Sequence, residues 1–171
     1  MMVLDIAMVA TIFTQPHVDK LITHMLMGSG IWQQVFHPGD FAGASAVPNS
    51  TPYSLTATGH VLQKFFQTSP ALNFVKAVAP EDLGLIGVNS RLAKGVLFAD
   101  RDITQQALLL INGTSEQLVI NPMQIDGDWS KAETTHAPPD APILDPSILT
   151  TESLTVQESM ALPAYSVTVI Q

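Results

Sequence analysis

Apolar and polar positions follow two different rules along this chain. Up to about Lys76 the apolar runs are long. Val3 to Phe13 is almost uniformly apolar, the pattern of a helix buried on most sides. Thr14-Gln15-Pro16 ends it, because proline bars continuation. Val18 to Met27 reads as a short apolar strand, and Gly28-Ser29-Gly30 lets the chain turn. A loop of small residues and prolines follows, Pro38 to Asn49. Thr51-Pro52 then supplies an N-cap and a proline at the first helical position. The helix after it places Leu55, Val61, Leu62, Phe65 and Phe66 near one stripe and ends by Ser69-Pro70. Helix, strand, long loop and helix is the repeating order of an α/β protein with parallel strands.

From about Ala71 the apolar runs shorten and turn β-rich. Strands are predicted at Leu72 to Val78, Leu83 to Val88, Gly95 to Ala99, Gln106 to Ile111, Gln117 to Ile120, Leu154 to Gln157 and Tyr165 to Ile170. Turn signals such as Asn112-Gly113 and Asp126-Gly127 separate several of them. Short strands at this spacing suggest an antiparallel sandwich. Lys131 to Pro146, with its Ala-Pro-Pro-Asp-Ala-Pro run, reads as an extended loop, since proline cannot donate to a strand ladder. There is no internal repeat and no heptad pattern.

Composition narrows the function classes. The chain is 46% hydrophobic and 13% charged, against roughly 25% charged in an average soluble domain, so its 171 residues can bury a sizeable core. Such a surface also fits homo-oligomers or packing against another segment. Net charge is −8, with 15 acids against 7 bases and no basic run. A nucleic-acid partner therefore has no electrostatic footprint. The absence of cysteine excludes disulfides and thiolate metal sites and leaves the redox compartment, and with it the localisation, open. No apolar run reaches the ~20 residues that span a bilayer, so no membrane partner is expected. The first 13 residues invite a signal-peptide reading. They lack a basic start and carry Asp5, which favours a buried helix, so that the chain begins inside a structural element.

Two motifs then stand out. The helix opens "TPYSLTATGHVLQKFF", with Thr51, Pro52 and Tyr53. The chain closes on "LPAYSVTVIQ", with Leu162, Pro163, Tyr165, Ser166, Val167 and Val169. Between them "ALLLINGTSEQLVI", Ala107 to Ile120, holds an Asn-Gly-Thr turn joining two strands. Together these resemble the C-terminal end of (β/α)8-barrel retaining glycoside hydrolases of the α-L-arabinofuranosidase and endoglucanase type. The resemblance implies a remnant of a TIM-type barrel over residues 1–70, followed by a β-sandwich accessory domain over 71–171. It makes Val18 to Met27 the eighth barrel strand. The loop Gly28 to Asn49 would then lie on the active-site face. The implied ligand is an oligo- or polysaccharide of plant cell-wall type, met through the parent enzyme.

The catalytic carboxylates do not fit inside this chain. A retaining glycosidase needs two carboxyl groups roughly 5–5.5 Å apart, and the resembled enzymes carry them as glutamates at the fourth and seventh strands. No glutamate precedes Glu81, so the expectation is no catalytic residue and no activity from the chain alone. Of the early acids Asp5, Asp19 and Asp40, only Asp40 is placed to matter.

His17, His24 and His37 are spaced by seven and thirteen, which matches no local zinc motif. The plainer reading makes His24 a hydrogen-bonded strand histidine and His37 a loop residue, with no metal and no cofactor. Gly28-Ser29-Gly30 fails as a phosphate loop and as a nucleophile elbow. Trp32 has two readings. It could floor a sugar subsite by stacking, with His24, His37 or Asp40 bonding hydroxyls, or it plugs the gap between barrel and loop with Phe36. Trp129, after Asp126-Gly127-Asp128, is either a surface platform for polysaccharide or, as the sequence favours, packing at a strand edge. The runner-up function is thus a non-catalytic carbohydrate-binding or interaction module anchored by the two tryptophans. The chain also carries two sequons, Asn49-Ser50-Thr51 and Asn112-Gly113-Thr114, the second coinciding with a tight turn signal.

Overall fold

The computed structural model describes residues 54–68, 74–89, 92–138 and 148–171. The predicted apolar helix, the eighth strand and the rim loop of the barrel end all lie outside the described residues. Of the stretch 1–70, only residues 54–68 are described.

Within them a helix, α1, runs Ala57–Thr68. It starts later than the Thr51-Pro52 signal suggests. Its cap is Thr56, whose hydroxyl accepts the backbone N–H of Gly59 at 3.1 Å, satisfying one of the donors every helix start leaves open. Leu55, expected on the helical stripe, instead sits in a β-bridge ahead of it. Val61 is buried as expected and Leu62 partly so.

Eight strands follow: β1 Phe74–Val78, β2 Ala93–Ala99, β3 Gln106–Asn112, β4 Leu118–Ile120, β5 Lys131–His136, β6 Thr150–Thr155, β7 Met160–Leu162 and β8 Ser166–Ile170. Six make one antiparallel sheet in the order β1-β2-β3-β8-β5-β6, and β4 pairs with β7 in a second. The fold of this part is a β-sandwich, as the spacing of its short apolar runs implies. The last strand of the chain lies in the middle of the large sheet, paired to β3 on one side and β5 on the other.

The large sheet is buried on both faces where β2, β3 and β8 run, which explains the unbroken apolar run Ala107 to Ile111. Leu109, Ile111, Val96, Phe98 and Val167 face α1, packing with Ala57 and Val61. Leu108, Leu110, Ile170 and Ala132 face the other way, onto Ile120, Met160 and Leu162 of the small sheet. Gly95 permits the close approach of β1. A Cβ there would lie 2.8 Å from the Val78 Cβ, its partner in register.

Expectations at Leu83 to Val88 and Lys131 to Pro146 are corrected here, the strand expected at Leu154 to Gln157 is β6, Thr150–Thr155, and one strand is added. Leu83 to Val88 is not a strand. Pro80–Leu83 forms a short 3-10 helix, in which the Asp82 carboxylate accepts the Ala79 N–H at 3.1 Å. Left-handed glycines at Gly84 (φ 81°) and Gly87 (φ 77°) then prevent an extended run. Lys131 to Pro146 is not all loop, because Lys131–His136 forms β5. Its β-branched Thr134 and Thr135 suit a strand, and the prolines begin only at Pro138. Met160–Leu162, unassigned from the sequence, forms β7.

Candidate functional site

The residues nominated from the sequence, Trp32, His24, His37 and Asp40, lie outside the described residues. So does the first sequon asparagine, Asn49. Trp129 and Asn112, of the second sequon, lie within the described residues.

Trp129 is not a surface platform. It is 7% exposed and belongs to the core between the sheets. Its indole N–H donates to the Ile125 carbonyl at 2.9 Å. Gly127 lies against the ring, so that a Cβ there would come within 2.3 Å of it. The Asp126-Gly127-Asp128 turn thus folds its glycine onto the indole. With its faces packed, Trp129 has none to offer a sugar.

Asn112 of the second sequon is fully buried. It ends β3, where the chain leaves the large sheet for β4 in the small one. Its Nδ2 donates to the carbonyls of Glu116 at 2.8 Å, Leu162 at 3.1 Å and Pro163 at 2.8 Å. Its Oδ1 accepts the N–H and the hydroxyl of Thr114 at 3.0 and 2.7 Å. The Asn-Gly-Thr turn therefore joins strands of different sheets and does not close a hairpin. The closing motif makes the reverse crossing. Leu162 ends β7 in the core, the Pro163 carbonyl also accepts the Ser166 hydroxyl at 2.7 Å, and Tyr165 turns with φ 51° into β8. The Tyr165 N–H donates to the Thr114 carbonyl at 3.2 Å. These two of the four crossings between the sheets are thereby tied together at one end of the sandwich.

The described residues also form one shallow groove of about 420 Å³ across β5, β6 and β8. On the face of the large sheet that α1 covers further along, Lys131, Glu133, Ser153 and Thr155 stand beside Val169 and Gln171. An amine, one carboxylate, two hydroxyls and an amide can hydrogen-bond a polar ligand. One carboxylate cannot provide both the nucleophile and the acid that glycoside hydrolysis requires, and no aromatic ring lines the groove. Sequence reasoning missed it by assigning β5 to a loop. The alternation of exposed Lys131 and Glu133 with buried Ala132 and Thr134 was the available signal. Near it, on β5 and β6, His136 Nε2 approaches Glu152 Oε1 at 3.8 Å.

Electrostatics mark one further point. In the β2–β3 turn, Asp100 Oδ2 accepts the Thr104 hydroxyl at 2.6 Å, and Oδ1 accepts the N–H groups of Thr104 and Gln105 at 2.7 and 3.1 Å. The Thr104 hydroxyl first, then the Gln105 N–H, hold its carboxyl below the ordinary value of 3.8. These bonds stay within the turn. Among the described residues no group of three or more His, Asp or Glu side chains is placed to hold a metal ion. No described helix is long and apolar enough to cross a membrane.

No family model matches the chain, and no curated protein matches it. Among solved structures it is similar to an arabinofuranosidase at a TM-score of 0.34. It is similar at 0.33 to the thermostable α-L-arabinofuranosidase of Thermotoga petrophila RKU-1 and to the Thermotoga maritima α-L-arabinofuranosidase in its arabinose complex. Each likeness is at 15% identity and covers 46% of this chain. The matched part spans 18% of each enzyme's length.

Proposed function

We propose that this chain serves as a non-catalytic portion of a glycoside hydrolase of α-L-arabinofuranosidase type. In this reading residues 1–70 belong to the end of a barrel and residues 71–171 are its accessory sandwich. The observation that carries it is the bonding of Asn112 to Leu162 and Pro163. Two of the three motifs on which the family resemblance rests, Asn-Gly-Thr and Leu-Pro-Ala-Tyr-Ser-Val, fold into one unit and specify each other. Short motifs scattered by chance have no reason to meet this way.

The role that follows is mechanical: the sandwich completes and supports an enzyme whose paired carboxylates stand elsewhere. The ligand class is an arabinose-containing oligo- or polysaccharide, bound by the enzyme as a whole. Incubating the purified chain with 4-nitrophenyl α-L-arabinofuranoside tests the reading. No nitrophenol release is expected, and saturable turnover would end it.

A second reading, a polysaccharide-binding module, is favoured by the polar groove of Lys131, Glu133, Ser153, Thr155 and Gln171. Calorimetric titration with arabinoxylan separates the two. Saturable heat that Ser153→Ala with Thr155→Ala abolishes would assign binding to the groove.

A further inference from the structure

Asn112 is followed by glycine, the neighbour that least hinders attack of its backbone nitrogen on the asparagine side chain. We infer that Asn112-Gly113 is a latent deamidation site, silenced by the folded sandwich and released when the β3–β4 and β7–β8 crossings come apart.

In the reaction the Gly113 nitrogen loses its proton to solvent base and attacks Asn112 Cγ. A C–N bond forms, the Cγ–Nδ2 bond breaks, and Nδ2 leaves as ammonia after taking up a proton. Water then adds to either carbonyl of the resulting cyclic imide and opens it to aspartate or isoaspartate.

The folded state blocks each step. The Gly113 N–H donates to the Leu92 carbonyl at 2.6 Å, which holds the proton that must leave. Hydrogen bonds on both Oδ1 and Nδ2 fix the Asn112 amide. Full burial of Asn112 keeps out the base and the water.

The fold also requires this vulnerable pair. A Cβ on residue 113 would lie 2.9 Å from the Leu92 carbonyl oxygen, so the position demands glycine. Three carbonyls converge on Nδ2 while Thr114 donates to Oδ1, a pattern that suits an amide and not a carboxylate. Conversion is therefore one-way. Aspartate would set carboxylate oxygens against the carbonyls of Glu116, Leu162 and Pro163. Isoaspartate would lengthen the backbone at the point where Gly113 meets Leu92.

The experiment incubates the purified full chain at mildly alkaline pH in buffer and in concentrated urea, then maps peptides by mass spectrometry with enzymatic detection of isoaspartate. Asn121 is the internal control, since Pro122 has no N–H to attack with. Conversion of Asn112 in urea is expected to exceed that in buffer by on the order of tenfold or more, the protection that burial in a core unit confers. After urea is removed, size-exclusion chromatography is expected to find intact Asn112 in the folded peak and converted molecules outside it. Equal conversion in the two conditions, no conversion in urea, or converted molecules in the folded peak would each overturn the inference.

Discussion

The side-chain amide of Asn112 donates to the Pro163 carbonyl at 2.8 Å, across 51 positions of sequence. That bond and its neighbour to Leu162 lock β3 and β8 at the end where both cross between sheets. A carbonyl stripped of its donor in a dry interior costs about 1–3 kcal/mol. Asn112→Ala removes all five bonds of the amide, among them the buried one to the Leu162 carbonyl, while the Pro163 and Glu116 carbonyls keep the Ser166 and Thr114 hydroxyls. It is expected to destabilise the chain by about 1–3 kcal/mol. Urea unfolding would show a lower midpoint with an unchanged slope.

Trp129 is expected to matter for stability and not for sugar. Trp129→Ala should cost about 3–5 kcal/mol as a large core deletion. Gly127→Ala should cost about 1–3 kcal/mol by pressing a methyl group into the indole. The second penalty should shrink in a Trp129→Phe background, because the atoms nearest the new Cβ belong to the part of the indole that phenylalanine lacks. Thermal melts of the four proteins check this.

Thr134 and Thr168 share a hydrogen bond at 2.8 Å, with both residues fully buried. Either single change to valine strands a hydroxyl and is expected to cost about 1–3 kcal/mol. Thr134→Val with Thr168→Val replaces both polar groups and should recover most of that loss. A double-mutant cycle by urea unfolding measures the coupling.

Asp100 should make the β2–β3 turn sensitive to acid. Its carboxyl is held below 3.8 by the Thr104 hydroxyl and then the Gln105 N–H, so folding favours its ionised form. That stabilisation is fully present above 3.8 and is lost as pH falls through the lowered value. Asp100→Asn is therefore expected to melt below the parent protein at neutral pH. The gap should close under acid conditions, as scanning calorimetry across pH would show.

How much of this was written in the sequence depends on which physical signal each segment carries. The central strands were legible because β3 and β8 are buried on one or both faces, and burial leaves continuous or alternating apolar runs. β5 was not, because Lys131, Glu133 and Thr135 share a polar face and the prolines that follow β5 dominate the reading of that region. Leu83 to Val88 failed in the opposite direction. Its apolar letters suggested a strand, while Pro80, Gly84 and Gly87 set the backbone. The α1 cap slipped five residues, from Thr51 to Thr56, because both sites offer a threonine and only packing decides between them. Asn112 read as a tight turn and a sequon. Its bonds to Leu162 and Pro163 span about fifty residues, and no local pattern encodes a partner at that distance. The groove was hidden along with β5.

The chain is proposed to support glycoside hydrolysis without performing it. The most direct test is release of nitrophenol from 4-nitrophenyl α-L-arabinofuranoside by the purified chain, followed over a range of substrate concentrations. No release above the buffer rate is expected at any concentration. Saturable release that tracks the protein through purification would contradict it, and would place a complete pair of catalytic groups within these 171 residues.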